Sequence, residues 1–280
     1  MDPTVAERRV ELLRDELNRR GLRSSIHLTE RAGHAAELAS AAAASGAGLV
    51  IVWGGDGTLN EVGSALAGSQ TAVGVIPAGS GNGLAGALKV PKSPVAALAL
   101  ALGNRSRVID VGVLGTRRFL NVAGIGVDAR IAILFNERAR GSRGRWPYIA
   151  IGLVQGCRYV ASEYRIELDG AELHREAMLI AFANGREYGM GAVLAPGAEL
   201  DDGLLDAFVI EDRSVLARFW HARHLARGTV ERAPGITQRK VRTAVIESAA
   251  PMEYHVDGEP GRAEGRLEVS LLPRALRVKA

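Results

Sequence analysis

The stretch Leu49-Val50-Ile51-Val52-Trp53 followed by Gly54-Gly55-Asp56-Gly57-Thr58-Leu59-Asn60-Glu61-Val62 limits this chain more than any other. A short apolar run rich in β-branched residues reads as a buried strand, and the glycines after it let the backbone turn sharply. Thr58 and Glu61 have capping-box spacing, so the sequence predicts a helix from Thr58. A strand, a glycine turn and a helix start together aim backbone amides at an anion such as phosphate. Asp56 is the single charged group in that turn, with metal binding or proton acceptance as its two chemical uses.

A second loop has the same logic. Ala72–Ile76 reads as another buried strand, followed by Pro77-Ala78-Gly79-Ser80-Gly81-Asn82. Its glycines clear the backbone, and Ser80 and Asn82 supply neutral donors for phosphate or ribose oxygens. Helical patterns flank both strands: Val10, Leu13 and Leu17 share a face with a stop at Gly21, Ala35–Ala44 ends at Gly46, and Ser93-Pro94 opens a further helix. A short strand is expected at Ser25–Leu28. Alternating strands and helices imply a mainly parallel sheet with ligands at its carboxyl ends, where both loops stand.

Beyond Ser106 the pattern becomes short strands separated by turns: Val108–Leu114, Arg118–Ala123, Tyr164–Leu168, Ala177–Ala183, Leu205–Ile210, Lys240–Glu247, Glu253–Val256 and Arg266–Leu272. Helices are expected near Trp146–Tyr159 and Ser214–Arg227. The fold expected is an α/β domain over residues 1–105, then a larger, mostly antiparallel β-sandwich-like domain over 106–280, with the site in the cleft between them. Apolar residues make up 47% of the 280 and charged residues 24%, as in a soluble globular protein. The net charge of +4 favours anionic partners. A single cysteine, Cys157, excludes an intrachain disulfide and reads as a buried small side chain. No run reaches the roughly 20 apolar residues of a membrane span, and the charged N-terminus has no signal-peptide core. The expected location is cytoplasmic, with peripheral attachment at the inner face of the membrane.

GGDGTLNEV followed by PAGSGN resembles the catalytic domain of diacylglycerol kinases, sphingosine kinases and their bacterial lipid-kinase relatives. The likeness continues through Asn121-Val-Ala-Gly-Ile-Gly-Val-Asp128-Ala129, Ala183-Asn184-Gly185, Pro196 to Asp202-Gly203-Leu204-Leu205-Asp206, Asp257-Gly258-Glu259 and Leu272-Pro273. NAD kinases and phosphofructokinases share GGDGT without the rest of this ordered set. The resemblance implies ATP and Mg²⁺ as cofactors. Phosphate contacts then fall on Thr29, on Gly55, Asp56, Gly57, Thr58, Leu59, Asn60 and Glu61, and on Ser80, with Gly54, Gly79, Gly81 and Asn82 completing the nucleotide site. It further implies a lipid substrate met at a membrane surface, no nucleic-acid partner, and leaves a homodimer open.

Two residues compete for the role of general base. Bacterial members place it on the aspartate matching Asp257, and other members on the one matching Asp56. Asp128 matches a residue that contacts the substrate head group, and Glu259 is a second candidate for substrate or metal. A structural Mg²⁺ site corresponds to the Asp202 side chain with the carbonyls of Glu199 and Leu204. The basic run Arg138, Arg140, Arg143 and Arg145 before Trp146 and Tyr148 suits anionic head groups. His221 and His224 read as surface residues.

The chain departs from that pattern in two places. Family members open on a buried strand ending in an Asn-Pro turn, whereas Met1-Asp2-Pro3 already stands at the turn, so that strand is expected to be missing. Gly83 and Gly86 occupy positions where many diacylglycerol-kinase relatives carry Asp and Arg, which bears on any metal network there. Rival expectations are a soluble nucleotide kinase of the NAD-kinase type and a binding relative without turnover.

Overall fold

The computed structural model describes residues 3–138, 152, 154–156, 158–189, 192–212, 218, 223–224, 227, 229 and 233–280. The N-terminal part runs α1 (Pro3–Arg19), α2 (His34–Ala44), β1 (Leu49–Gly54), α3 (Asp56–Leu66), β2 (Ala72–Pro77), α4 (Gly83–Ala87) and α5 (Pro94–Ala101). β1 and β2 pair in parallel, Leu49 opposite Ala72 through Gly54 opposite Pro77, so the two glycine loops leave the sheet side by side. Val52, Leu59, Val62, Leu66, Ile76 and Leu98 form the core beneath them.

The β-rich part follows: β3 (Arg107–Leu114), β4 (Arg117–Phe119), β5 (Val122–Gly126), α6 (Val127–Arg138), β6 (Ser162–Leu168), β7 (Ala171–Ala183), β8 (Glu187–Gly189), β9 (Ala192–Val193), β10 (Leu205–Glu211), β11 (Ile236–Val241), β12 (Ala244–Val256) and β13 (Glu259–Val278). Period-two burial explains how the strands serve two cores. In β10, Leu205, Ala207 and Val209 enter a core with Phe119, Phe182 and Ile246. The intervening Phe208 and Ile210 enter another with Val127, Met178 and Leu194.

β13 joins the two halves. It pairs with β12 over Glu259–Val269 and with β3 over Val269–Val278, and Val278 pairs in parallel with Val73 of β2. The resulting sheet has 11 strands among the described residues, with β1 at one end of the path β1-β2-β13-β12-β5-β7-β10-β11. A register shift between Leu272 and Leu276 bends β13 where Pro273 removes a ladder donor. Buried Asp110 fastens that bend: Arg274 N–H donates to its Oδ1 (2.6 Å) and Gly203 N–H to its Oδ2 (2.8 Å).

Three local expectations change. Ser25–Leu28 forms no strand and runs exposed apart from Ile26. This segment and the free edge of β1 line one broad cavity, and no ladder joins them. Helix α3 begins at Asp56, not Thr58, and has no side-chain cap. Glu61 leaves its own helix end to accept from Gly33 N–H (2.9 Å) and Ala35 N–H (3.1 Å), capping α2 instead. The single strand expected at Arg118–Ala123 breaks into β4 and β5, because the amides of Leu120, Asn121 and Val122 turn to a carboxylate. The expected helices around 146–159 and 214–227 fall largely outside the described residues.

Candidate active site

The two glycine loops touch backbone to backbone. A Cβ built on Gly79 would stand 2.7 Å from the Cα of Gly55, so only glycine allows this approach. Asp56 locks the loops together: Oδ2 accepts from Asn82 N–H (2.7 Å) and Oδ1 from Gly83 N–H (2.9 Å). Asn82, at φ 54°, closes its own loop through Gly79 N–H to Oδ1 (2.9 Å) and Nδ2 to Gly79 O (2.6 Å). Burial pushes the Asp56 carboxyl above the usual aspartate range. The amides of Asn82 and Gly83 pull the other way, and the charge of Asp257 adds to the rise.

Asp257 heads the turn between β12 and β13, at φ 48°. Its Oδ2 accepts from Leu120 N–H (2.8 Å) and Asn60 Nδ2 (2.8 Å). Its Oδ1 accepts from Asn121 N–H (3.0 Å) and Val122 N–H (2.9 Å). Four donors match the roughly four acceptor positions of a carboxylate. Asp257 therefore ties the β4–β5 break, the turn and α3 into one unit.

Two residues before it, buried His255 bridges in the other direction. Gly258 N–H donates to His255 Nδ1 (3.2 Å), and His255 Nε2 lies 3.0 Å from Asp128 Oδ2. An Nδ1 that accepts leaves the proton on Nε2, which donates to the carboxylate. Asp128 Oδ1 also accepts from Ala129 N–H (2.7 Å) in the first turn of α6. The sequence gives no hint of His255: its partner lies 127 residues away.

One cavity of about 2420 Å³ is lined by Thr29, the first loop with Thr58, Asn60 and Glu61, and Gly79, Ser80 and Gly81, together with Asp128, His255, Asp257 and Glu259. Of the residues expected at phosphate, Leu59 sits elsewhere: its side chain is in the core and its N–H donates to Gly55 O (3.0 Å). Asn82 and Glu61 spend their polar atoms on the loops and on α2. Glu259 lies at the start of α3, where a Cβ on Gly57 would meet its Oε1 at 2.6 Å. The open first-turn amides of α3 at Gly57 and Thr58, beside exposed Ser80, suit a polyphosphate.

The residues fit a divalent ion differently at the two expected places. Asp56 and Glu259 stand near the same helix start, where an ion carried in on a polyphosphate would lie between like charges. At Asp202 the carboxylate is already occupied: Lys240 Nζ lies 2.5 Å from Oδ2, and Leu204 N–H donates to Oδ1 (3.0 Å). No cluster of three or more His, Cys, Asp or Glu with metal-site geometry occurs among the described residues. At Gly83 and Gly86 the room for a side chain is filled by Asn121 and by the carboxylate of Glu187. Cys157, Arg140, Arg143, Arg145, Trp146, Tyr148 and His221 lie outside the described residues, as does the Arg138 side chain. His224 contacts Thr229. No described helix is long and apolar enough to cross a membrane.

Comparison with known proteins agrees with this layout. Residues 4–114 match the diacylglycerol kinase catalytic domain, and 121–280 match the YegS C-terminal NAD kinase beta sandwich-like domain. A Pseudomonas aeruginosa protein named "Probable lipid kinase YegS-like" is 32% identical over 269 residues, covering 92% of this chain and 85% of its own. A diacylglycerol kinase of Staphylococcus aureus is 30% identical over 260 residues, covering 92% and 81%. Two crystal structures share the fold. One is a diacylglycerol kinase from Bacillus anthracis (TM-score 0.70, 24% identity, 90% and 82% covered). The other is an ATP-bound NAD kinase from Archaeoglobus fulgidus (TM-score 0.56, 13% identity, 97% and 89% covered). With both of its halves matched in order, the chain belongs to the lipid-kinase family that joins a diacylglycerol kinase catalytic domain to a YegS-type C-terminal domain.

Proposed function

We propose that this lipid kinase transfers the γ-phosphate of ATP to a hydroxyl of a membrane-derived lipid, of diacylglycerol, sphingoid or phosphatidylglycerol type. The observation that carries this reading is the convergence of the two glycine loops and the Asp257–Glu259 turn on one cavity. Its far wall is apolar, with Val127, Ile131, Phe135, Met178, Leu179 and Ile210. Such a wall suits an acyl chain better than a second nucleotide.

Phosphoryl transfer asks for positioning and charge neutralisation more than covalent help. The α3 amides at Gly57 and Thr58, with Ser80, hold the phosphates. Asp56 and Glu259 would hold an Mg²⁺ carried in with ATP, which would screen the phosphate charge. Asp56 takes the hydroxyl proton. Its carboxyl is raised by burial and so more basic, while Asp257 has no acceptor position left for a substrate hydroxyl. Asp257 holds the floor in shape, and Asp128, fixed by His255, meets the polar head of the lipid. The lipid enters from a membrane surface, to which the excess positive charge of the chain draws it.

The test is a purified-protein assay with labelled ATP against a panel of these lipids in mixed micelles, with NAD in lipid-free buffer as a parallel arm. Labelled product is expected from a lipid. ATP binding without transfer to any lipid, or transfer to NAD alone, would overturn the reading.

A further inference from the structure

We propose that Lys240 is the resident cation at Asp202, beside the Arg107–Asp201 ion pair, and that this chain needs no divalent ion there. The relevant carboxylates are Asp202 and Asp206. Asp206 is 3% exposed. A carboxylate at that depth is costly unless a donor or a cation meets it. Two groups do: Gln238 Nε2 donates to Oδ1 (3.2 Å), and Lys240 Nζ lies 3.9 Å from Oδ2. The same ammonium lies 2.5 Å from Asp202 Oδ2.

The ladder delivers that ammonium. β10 and β11 are antiparallel, with Asp206 directly opposite Lys240 and Phe208 opposite Gln238. Directly opposed residues place their Cβ atoms about 4.5–5.5 Å apart, so the lysine stem reaches the loop from a fixed base. Glu199 adds a third negative charge within electrostatic reach of Lys240. Lys240 thus meets Asp202 and Asp206, while Arg107 holds Asp201 of the same segment.

The ammonium 2.5 Å from Asp202 Oδ2 already supplies positive charge there, and it repels a second cation brought to the same oxygen. Mg²⁺ requires near-octahedral oxygen ligands at about 2.0–2.1 Å, and each Asp202 oxygen already meets a donor. One receives Leu204 N–H and the other Lys240. The ammonium also differs in being tethered, so it costs no binding equilibrium and cannot be removed by a chelator. The consequence is a loop whose stability is independent of divalent concentration, distinct from any ion carried in with ATP.

Thermal unfolding of the EDTA-treated full chain, titrated with MgCl₂ alone against NaCl of equal ionic strength, tests this without any assay of activity. Wild-type Tm is expected to stay flat. K240M is expected to melt at least about 2–4 °C lower, the scale of shift for a chain of this size, and to recover part of that loss as MgCl₂ rises. K240R, which keeps the cation, is expected to stay flat and cover the case in which K240M does not fold. A wild-type or K240R Tm that climbs with MgCl₂, or a K240M protein that melts like wild type in EDTA, would overturn the proposal. Loss of kinase turnover with these melting results intact would count against the proposed reaction alone.

Discussion

Asn60 Nδ2 donates to Asp257 Oδ2 at 2.8 Å across 197 residues of sequence, and this contact pins the first glycine-loop helix to the last turn of the β-rich half. The same carboxylate holds three consecutive amides of the β4–β5 break. Asp257 thus clamps α3, the β4–β5 break and the turn together, and in the proposed reaction Asp56 is the base.

The two aspartates should therefore fail differently. Asp56→Asn is expected to lower kcat by roughly 10²–10⁴, the usual contribution of a general base, with nucleotide binding largely kept. Asp257→Asn puts an NH₂ group against amides that need an acceptor, at about 1–3 kcal/mol for each donor left unmatched. It should lower both Tm and turnover. An Asp257→Asn protein that melts like wild type but is inactive would return the base role to Asp257.

Activity should depend on pH through Asp56. Its folded pKa is raised by burial, so the ionised, proton-accepting form is lost as pH falls through a value above the ordinary aspartate range. The acid limb of kcat/KM is expected there. Stability has the opposite sign: the Asp56 contribution is fully present below the ordinary aspartate pKa and is lost as pH rises through the raised value. Melting curves across that window should slope downward with pH in wild type and flatten in Asp56→Asn.

His255 offers a separable test because its two ring nitrogens do different jobs. His255→Asn can keep an acceptor for Gly258 N–H while losing the reach to Asp128. His255→Gln can keep a donor for Asp128 while releasing the turn. The first should raise the KM for lipid with kcat held, and the second should lower kcat with KM held. Equal changes in both variants would mean that the imidazole only fills space.

Gly79→Ala should weaken ATP. The added methyl would stand 2.7 Å from the Gly55 Cα, so the two phosphate loops must part. Overpacking of this kind costs about 1–3 kcal/mol, read as roughly a tenfold or larger rise in the KM for ATP. Unchanged ATP kinetics would show that the loops need not touch.

Much of the fold was readable in the chain because its signals are local. Leu49–Trp53 and Ala72–Ile76 are short apolar runs closed by glycine, and they became the parallel pair β1 and β2. In the β-rich half, Leu205–Ile210 stood out as a nearly continuous apolar run because each face of that strand meets a separate core. The misjudged elements depended on distant partners. Ser25–Leu28 has strand composition but no ladder to join, and Glu61 has capping-box spacing but caps α2.

By itself, the sequence determined where backbone could turn and which short runs could be strands, since glycine, proline and apolar periodicity act within a few residues. It also determined the family, through motifs kept in order along the chain. Only the tertiary structure decided what each charge does. Asp257 is saturated by amides of residues 120–122, Asp128 is paired to His255, and Asp202 is paired to Lys240. A carboxylate is acceptor, base or metal ligand according to which donors surround it. Those donors arrive from strands and turns far away in sequence, and only the folded chain brings them together.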